Sequence, residues 1–198
     1  MAVLVLDCDG VVVTGHAQGG RWDKDLARDL GLDPARLQEK FFRPYWRSIV
    51  HGQADMLTVL EDVWPSLDCA RSPHDFVAYW FAKDSALDGE VLSEVASWRA
   101  AGGHACLATV QEHHRASHLW NALSLSNHFD AIHYSAVLGA AKPDAAFYER
   151  VQAKLPASRP QDVIFLDDAP RNVEAASAFG WRAALFTGVE DLRKAFRP

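Results

Sequence analysis

The chain has 198 residues, long for one small domain and short for two full ones, so a core domain carrying a modest insertion fits best. It is 49% hydrophobic and 23% charged, which excludes intrinsic disorder, collagen-like sequence and a disulfide scaffold. Lys and Arg total 20 against 26 for Asp and Glu, and the net charge of −6 disfavours nucleic acid and anionic membrane surfaces as partners. The cysteines Cys8, Cys69 and Cys106 have no CxxC spacing and read as reduced thiols. The opening run Met1–Leu6 meets Asp7 too soon for a leader or a membrane span. The expectation is a cytoplasmic protein, and the sequence carries no signal for its oligomeric state.

In chain order, Ala2–Leu6 is a short Val- and Leu-rich run of the kind that forms a strand buried on both faces. From His16 to Leu87 no buried strand is evident. Leu37, Phe41, Tyr45, Trp46 and Ile49 recur at helical spacing, as do Leu57, Leu60, Val63 and Trp64. Pro44 should start a new helix there. This stretch, 16–87, reads as a small helical domain inserted into a core made of 1–15 and 88–198. It holds four of the seven Trp.

After it, Asp88 can cap a helix running to about Ala101, ended by Gly102 and Gly103. Apolar runs at His104–Thr109, Ala131–Tyr134, Val163–Leu166 and Arg182–Phe186 alternate with helical stretches. Those are Glu112–Leu123, Pro143 to about Lys154, and Pro170 to near Gly180. Such alternation predicts right-handed βαβ units, hence an α/β fold with a three-layer, Rossmann-like parallel sheet.

The chemistry starts at Asp7-Cys8-Asp9-Gly10. Residues two apart in an extended chain face the same way, so Asp7 and Asp9 present two carboxylates at the carboxyl end of strand one. Ligands of open α/β sheets bind at that edge. Cys8 should point the other way, into the packing. Val163–Leu166 ends in a second acid pair, Asp167-Asp168. Adjacent carboxylates need a cation or hydrogen bonds. Mg²⁺ takes oxygen ligands, and Asp7, Asp9 and Asp167 or Asp168 can supply them. Asp168 alternatively caps the helix entered at Pro170. Lys142-Pro143 places a cation before a helix start, where it can balance the acids and hold an anion, unless it is an ordinary surface lysine. Thr109 ends strand two, where its hydroxyl and the following N–H groups suit a phosphate oxygen. His114 and His118, four apart, lack a third ligand at zinc-site spacing and read as a solvated helix face.

The order acid pair, Thr, Lys-Pro, acid pair, each at the end of a predicted strand or in the loop after it, resembles the haloacid dehalogenase-like hydrolase superfamily. The motifs would be Asp7-Cys8-Asp9-Gly10-Val11, Thr109, Lys142-Pro143 and Phe165-Leu166-Asp167-Asp168. The stretch Asp167–Val173 looks like the version in small phosphatases with a helical cap after the first motif. The inserted segment lies where that cap belongs.

The resemblance implies a Mg²⁺-dependent phosphatase acting on a small phosphorylated metabolite, such as a sugar phosphate, through an aspartyl-phosphate. It implies Asp7 as nucleophile and metal ligand. Asp9 would be general acid/base, ligating the metal only through its backbone carbonyl. Asp167 would be a direct ligand, with Asp168 direct or through water. Thr109 and Lys142 would bind phosphoryl oxygens. A phosphomutase of the same superfamily and a non-catalytic phosphometabolite-binding protein are the alternatives. The dehalogenases are disfavoured, because their resemblance implies no second acid in the first motif. His16, Trp22, Arg43, Tyr45, Trp46 and Arg47 are the candidates for a substrate-facing cap lining. One departure stands out: family members often carry Asn after the motif-two residue, and this chain has Val110. Gln111, Glu112 or His113 is expected to replace its contact.

Overall fold

The structure is a computed structural model describing residues 2–15, 19–157 and 159–196. All the predicted apolar runs form strands: β1 (Val3–Leu6), β2 (His104–Thr109), β3 (Ala131–Tyr134), β4 (Val163–Asp167) and β5 (Arg182–Leu185). They pair in parallel in the order β3-β2-β1-β4-β5. β1 is central, with Leu6 opposite both Leu107 and Leu166. The sheet edge beyond Leu6 therefore gathers the ends of three strands that lie far apart in the chain.

Between β1 and the next strand the chain is helical: α1 (Leu26–Leu30), α2 (Pro34–Leu37), α3 (Arg43–Val50), α4 (Met56–Val63) and α5 (Pro73–Lys83). Side-chain caps start several of them. Asp33 accepts from Ala35 N, Asp55 from Thr58 N, and Ser72 with Asp75 forms a capping box. Pro44 lies in the first turn of a helix, as expected, but that helix does not stand apart from the one before it. A π-helical turn at Gln38–Phe42 joins α2 to α3 without a break. The Arg43 N–H reaches back to Gln38 O across this wider turn, so Pro44 falls in the first turn of α3, where its missing N–H is tolerated.

These helices bury their own core, including Leu26, Phe41, Ile49, Leu60, Phe76 and Trp80, separate from the cores on the sheet. The chain leaves β1 and returns to the sheet through a paired neck. Thr14 N donates to Ala86 O at 2.8 Å, Ala86 N to Gly15 O at 3.0 Å, and Asp88 N to Val12 O at 2.9 Å.

The remaining helices are α6 (Gly89–Ala100), α7 (His113–Ser117), α8 (Ser135–Leu138), α9 (Ala145–Gln152), α10 (Pro170–Phe179) and α11 (Val189–Ala195). Alternation along the strands sends Leu4, Leu6, Ile164 and Leu166 to one face, packed with Val91 and Val95 of α6 and Leu192 of α11. Val3, Val5, Val163 and Phe165 go to the other, with Phe147 and Val151 of α9 and Ala176 of α10. Asp88 caps α6 as predicted, accepting from Glu90 N and Val91 N. α7 is capped by Glu112 and widens into a π-helical turn at His118–Ala122. α9 starts two residues later than Pro143 suggests, because Asp144 N closes a turn onto Ala141 O at 2.9 Å. α10 ends at Gly180, whose φ of 107° suits only glycine. Among the described residues no helix is long and apolar enough to cross a membrane.

Candidate active site

Side-chain parity carries the acids to the sheet edge. Asp7 continues the Val3–Val5 side, while Cys8 packs with Leu4 and Leu6, fully buried, as predicted. Asp7 N donates to Leu166 O at 2.9 Å, tying the end of β1 to β4. After Asp9 the chain turns sharply: Val12 N and Val13 N both donate to Cys8 O at 2.8 Å. Gly10 takes φ 81° there, and a Cβ on it would run into the Asp168 carboxylate.

Asp7, Asp167 and Lys142 form a buried triad. Lys142 Nζ lies 2.9 Å from Asp7 Oδ1 and 2.6 Å from Asp167 Oδ2. Lys142 is therefore not a surface lysine. Asp167 is fully buried, and Asn172 Nδ2 donates to both its oxygens, at 2.9 and 3.1 Å. Ala169 N also donates to Asp167 Oδ1, at 2.9 Å. Asp168 does not cap α10; the residue in the cap position is Ala169, without a side-chain bond. Asp168 is left free to face the cavity. That cavity, about 370 Å³, is lined by Asp7, Asp9, Gly10, Thr109, Val110, Lys142, Asp168, Arg171 and Asn172.

Burial raises the Asp7 carboxyl to about 7; Lys142 opposes the shift and Asp167 adds to it. Asp9 opens onto the cavity, but the protein around it also displaces enough water to push its carboxyl up, against the pull of the Arg115 guanidinium. Burial works against the Lys142 charge too, but Asp7 and Asp167 outweigh it and hold the ammonium above its usual range. Asp168 is raised by burial and by Asp167. One buried ammonium thus stands against several acids. Carboxylate oxygens of Asp7, Asp167 and Asp168 all lie within 4.8 Å of one another. Hard oxygen donors at that spacing, short of positive charge, fit a divalent cation.

The motif residues Asp7, Asp9, Thr109, Lys142 and Asp168 all come to this cavity, with Asp167 directly behind it. The proposed lining of the helical segment does not. Trp22 and Trp46 pack around Trp80, with centroids at 5.0 and 5.7 Å. They line a separate crevice of about 210 Å³. Arg43, Tyr45 and Arg47 are exposed on α3, and His16 lies outside the described residues. His114 and His118 are not a solvated face. His114 Nε2 lies 2.9 Å from Asp55 Oδ2 and His118 Nε2 3.2 Å from Ser85 Oγ, both on the helical segment.

Asn172 and Arg171, both on the first turn of α10, are site residues that reasoning from the sequence did not single out. Their signal was position, one helical turn after the second acid pair. Of the residues expected to replace the Asn contact, Glu112 is used up as the α7 cap. The His113 ring packs edge-on to Tyr134. Gln111 turns to Asp9, its Nε2 lying 2.5 Å from Oδ2.

The chain matches the haloacid dehalogenase-like hydrolase family over residues 1–180, and it belongs to that family. A search of curated proteins returns no match. A HAD family enzyme from Bacteroides thetaiotaomicron, solved as a magnesium complex, superposes with a TM-score of 0.81 at 18% identity, over 100% of this chain and 99% of that one. The wild-type form of that enzyme with magnesium and inorganic phosphate gives 0.81 at 16% identity, over 100% of both chains. An L-2-haloacid dehalogenase from Xanthobacter autotrophicus, with chloropropionic acid covalently bound, gives 0.66 at 17% identity, over 98% of this chain and 81% of that one. The shared fold is the three-layer α/β sandwich described above.

Proposed function

We propose that this hydrolase is a Mg²⁺-dependent phosphatase that cleaves a small phosphorylated metabolite, such as a sugar phosphate, through an aspartyl-phosphate on Asp7. The observation that carries the reading is the pairing of two differently placed carboxyls on one cavity. Asp7 sits in the buried cluster of acids around Lys142, and Asp9 stands outside that cluster. A protein that only placed a halide-bearing carbon before a nucleophile would have no use for the second acid.

Asp7, Asp167 and Asp168 would hold the metal. When bound, Mg²⁺ supplies positive charge that keeps Asp7 ionised and offsets its repulsion with the incoming phosphate. The Asp7 carboxylate attacks phosphorus and the bond to the leaving oxygen breaks. Asp9 gives its proton to that oxygen. Water then attacks the same phosphorus, Asp9 takes a proton from it, and the bond to Asp7 breaks to release inorganic phosphate. Thr109 and Lys142 hold phosphoryl oxygens, and Lys142 also keeps Asp7 aimed. The relative from B. thetaiotaomicron, held with magnesium and phosphate, supports this choice of substrate class.

The reading includes residues 16–87 as a cap on a core of 1–15 and 88–198. The paired neck and the separate helical core support it. It also includes a reducing cytoplasmic setting, which the three free cysteines support. The test is phosphate release from 4-nitrophenyl phosphate. Steady turnover with Mg²⁺, lost in EDTA and restored by added Mg²⁺, is the expected result. Metal-independent halide release from a 2-haloacid, with no phosphate release from any ester, would overturn the reading. A panel of phosphorylated metabolites then identifies the substrate.

A further inference from the structure

Val110 lines the cavity with an apolar side chain, and the next residue, Gln111, carries a polar side chain one step back from it. Gln111 is buried and is not among the residues lining the cavity. Its side chain crosses from the end of β2 to the loop after β1, two strands that are neighbours in the sheet. There Nε2 donates to Asp9 Oδ2 at 2.5 Å, linking residues 102 positions apart.

The backbone of Gln111 is itself fixed. Its N–H donates to Ser135 Oγ at 3.1 Å, and its carbonyl accepts from Ser135 Oγ at 3.1 Å and from Ala136 N at 3.2 Å. Ser135 is fully buried at the start of α8. The first turn of α8 thus holds the Gln111 backbone, and from that mount the Gln111 side chain reaches the Asp9 carboxyl. A side chain with no role beyond filling space would not need a donor in so rigid a mount.

We infer that Gln111 is a positioning residue for the proton transfer at Asp9, holding Oδ2 as a hydrogen-bond acceptor so that Oδ1 is the oxygen that carries and delivers the proton. An amide N–H can only donate, and an unprotonated carboxyl oxygen accepts that bond far better than a protonated one, so the contact biases the acid proton onto Oδ1. The bond also stops rotation of the Asp9 carboxyl, which would otherwise present either oxygen to the leaving group. The inference rests on the phosphatase reading above, because only a leaving alkoxide needs that proton.

The test is the dependence of kcat/KM on the leaving group, measured with Mg²⁺ on a series from 4-nitrophenyl phosphate to simple alkyl phosphates. kcat/KM covers only the steps up to expulsion of the first leaving group. A nitrophenolate leaves with little help, whereas an alkoxide needs its proton. Gln111→Leu is expected to lower kcat/KM by about 10–100-fold on alkyl phosphates and by less than about threefold on 4-nitrophenyl phosphate. KM should stay within about twofold. In an Asp9→Asn background the same substitution should cost nothing further. If Gln111→Leu melts early, Gln111→Met, closer in length, is the variant to read.

A loss of equal size on every ester, or no loss, would overturn the positioning role while leaving the phosphatase reading intact. A wild-type protein that hydrolyses neither kind of ester would sink that reading, and this inference with it.

Discussion

The sheet edge and the helical segment solve opposite problems. At the edge, charged groups are each held by another group: the buried Asp7 and Asp167 by the buried Lys142, Asp167 also by Asn172 and Ala169 N, and Asp9, which opens onto the cavity, by Gln111. In the helical segment it is the rings that are buried. Trp80 contacts Trp22, Phe42, Trp46, Phe76 and Phe81 with centroids between 5.0 and 6.0 Å, while Arg43 and Arg47 point to solvent. Trp80 Nε1 even lacks a hydrogen-bond partner among the described residues. The difference is one of tolerance. Packed rings depend on shape and forgive modest exchanges. A buried charge network depends on every partner, so removing one leaves the others uncompensated.

The largest expected effect lies at the edge. Asp7→Asn keeps the shape and the bond to Lys142 but removes the nucleophile. Turnover of 4-nitrophenyl phosphate should fall by about 10⁴-fold or more, with an unchanged circular dichroism spectrum. With an alkyl phosphate, whose leaving group needs the proton, Asp9→Asn should lower the rate by about 10²–10⁴-fold and slow both formation and breakdown of the intermediate in rapid-quench experiments. Wild-type rates in the first variant would remove Asp7 as nucleophile. Unchanged rates for both steps in the second would remove Asp9 as the proton carrier. By contrast Arg47→Ala, exposed on α3, should leave melting within about 0.5 kcal/mol of wild type, since surface changes rarely cost more.

The two regions also differ in how much of them the amino-acid order reveals. Parallel strands buried on both faces read as continuous apolar runs, so Val3–Leu6 and Val163–Leu166 were legible. The rule that residues two apart share a side then placed Asp7 with Asp9 and sent Cys8 into the core. Lys142 needed its neighbours: nothing in a single Lys-Pro says that its ammonium lies between two carboxylates. The bond from Gln111 to Asp9 was not legible as such. A glutamine in a loop has no periodicity, and its partner is fixed only once β1 and β2 lie side by side. In the helical segment the spacing of Phe41, Trp46 and Ile49 announced helices. It did not announce the π-helical turn that carries the chain past Pro44, because a turn of that kind is set by packing rather than by residue type. Nor could it say which rings face a neighbour and which face a substrate.

A smaller effect is expected where the two regions meet. Arg115 of α7 is buried, yet its partners belong to the helical segment and its return to the sheet. Its guanidinium donates to the carbonyls of Phe81 and Asp84 and to Ser85 Oγ, and lies 5.3 Å from the Phe81 ring. The rule of the sheet edge thus extends into the junction. Arg115→Met fills much of the same volume, but the Asp84 carbonyl loses the guanidinium donor and the Asp84 carboxylate its nearby cation, while the Phe81 carbonyl keeps Ser85 Oγ. The variant should lose about 3 kcal/mol of stability, seen as a lower urea midpoint with an unchanged slope. Stability within about 0.5 kcal/mol of wild type would mean that this contact is incidental, and that the charge network stops at the sheet edge.

A smaller effect than that at Arg115 concerns His133, on the outermost strand β3, where a buried polar ring stands apart from the charge network. Its Nε2 lacks a hydrogen-bond partner among the described residues. Burial, with smaller contributions from Lys154 and His104, lowers its pKa to about 4. A histidine so placed is neutral in the folded chain and titrates near 6.5 once unfolded. The unfolded state therefore binds the proton first as pH falls, and stability drops through the window from about 6.5 to about 4. Between pH 7 and pH 5 this one group should cost on the order of 2 kcal/mol. His133→Leu, close in volume and without a titrating group, should flatten the fall in urea stability over that range by the same amount. A variant whose stability falls with acid as steeply as the wild type would show that His133 finds a partner when it is charged. The outermost strand would then belong with the paired charges of the sheet edge rather than with the rings.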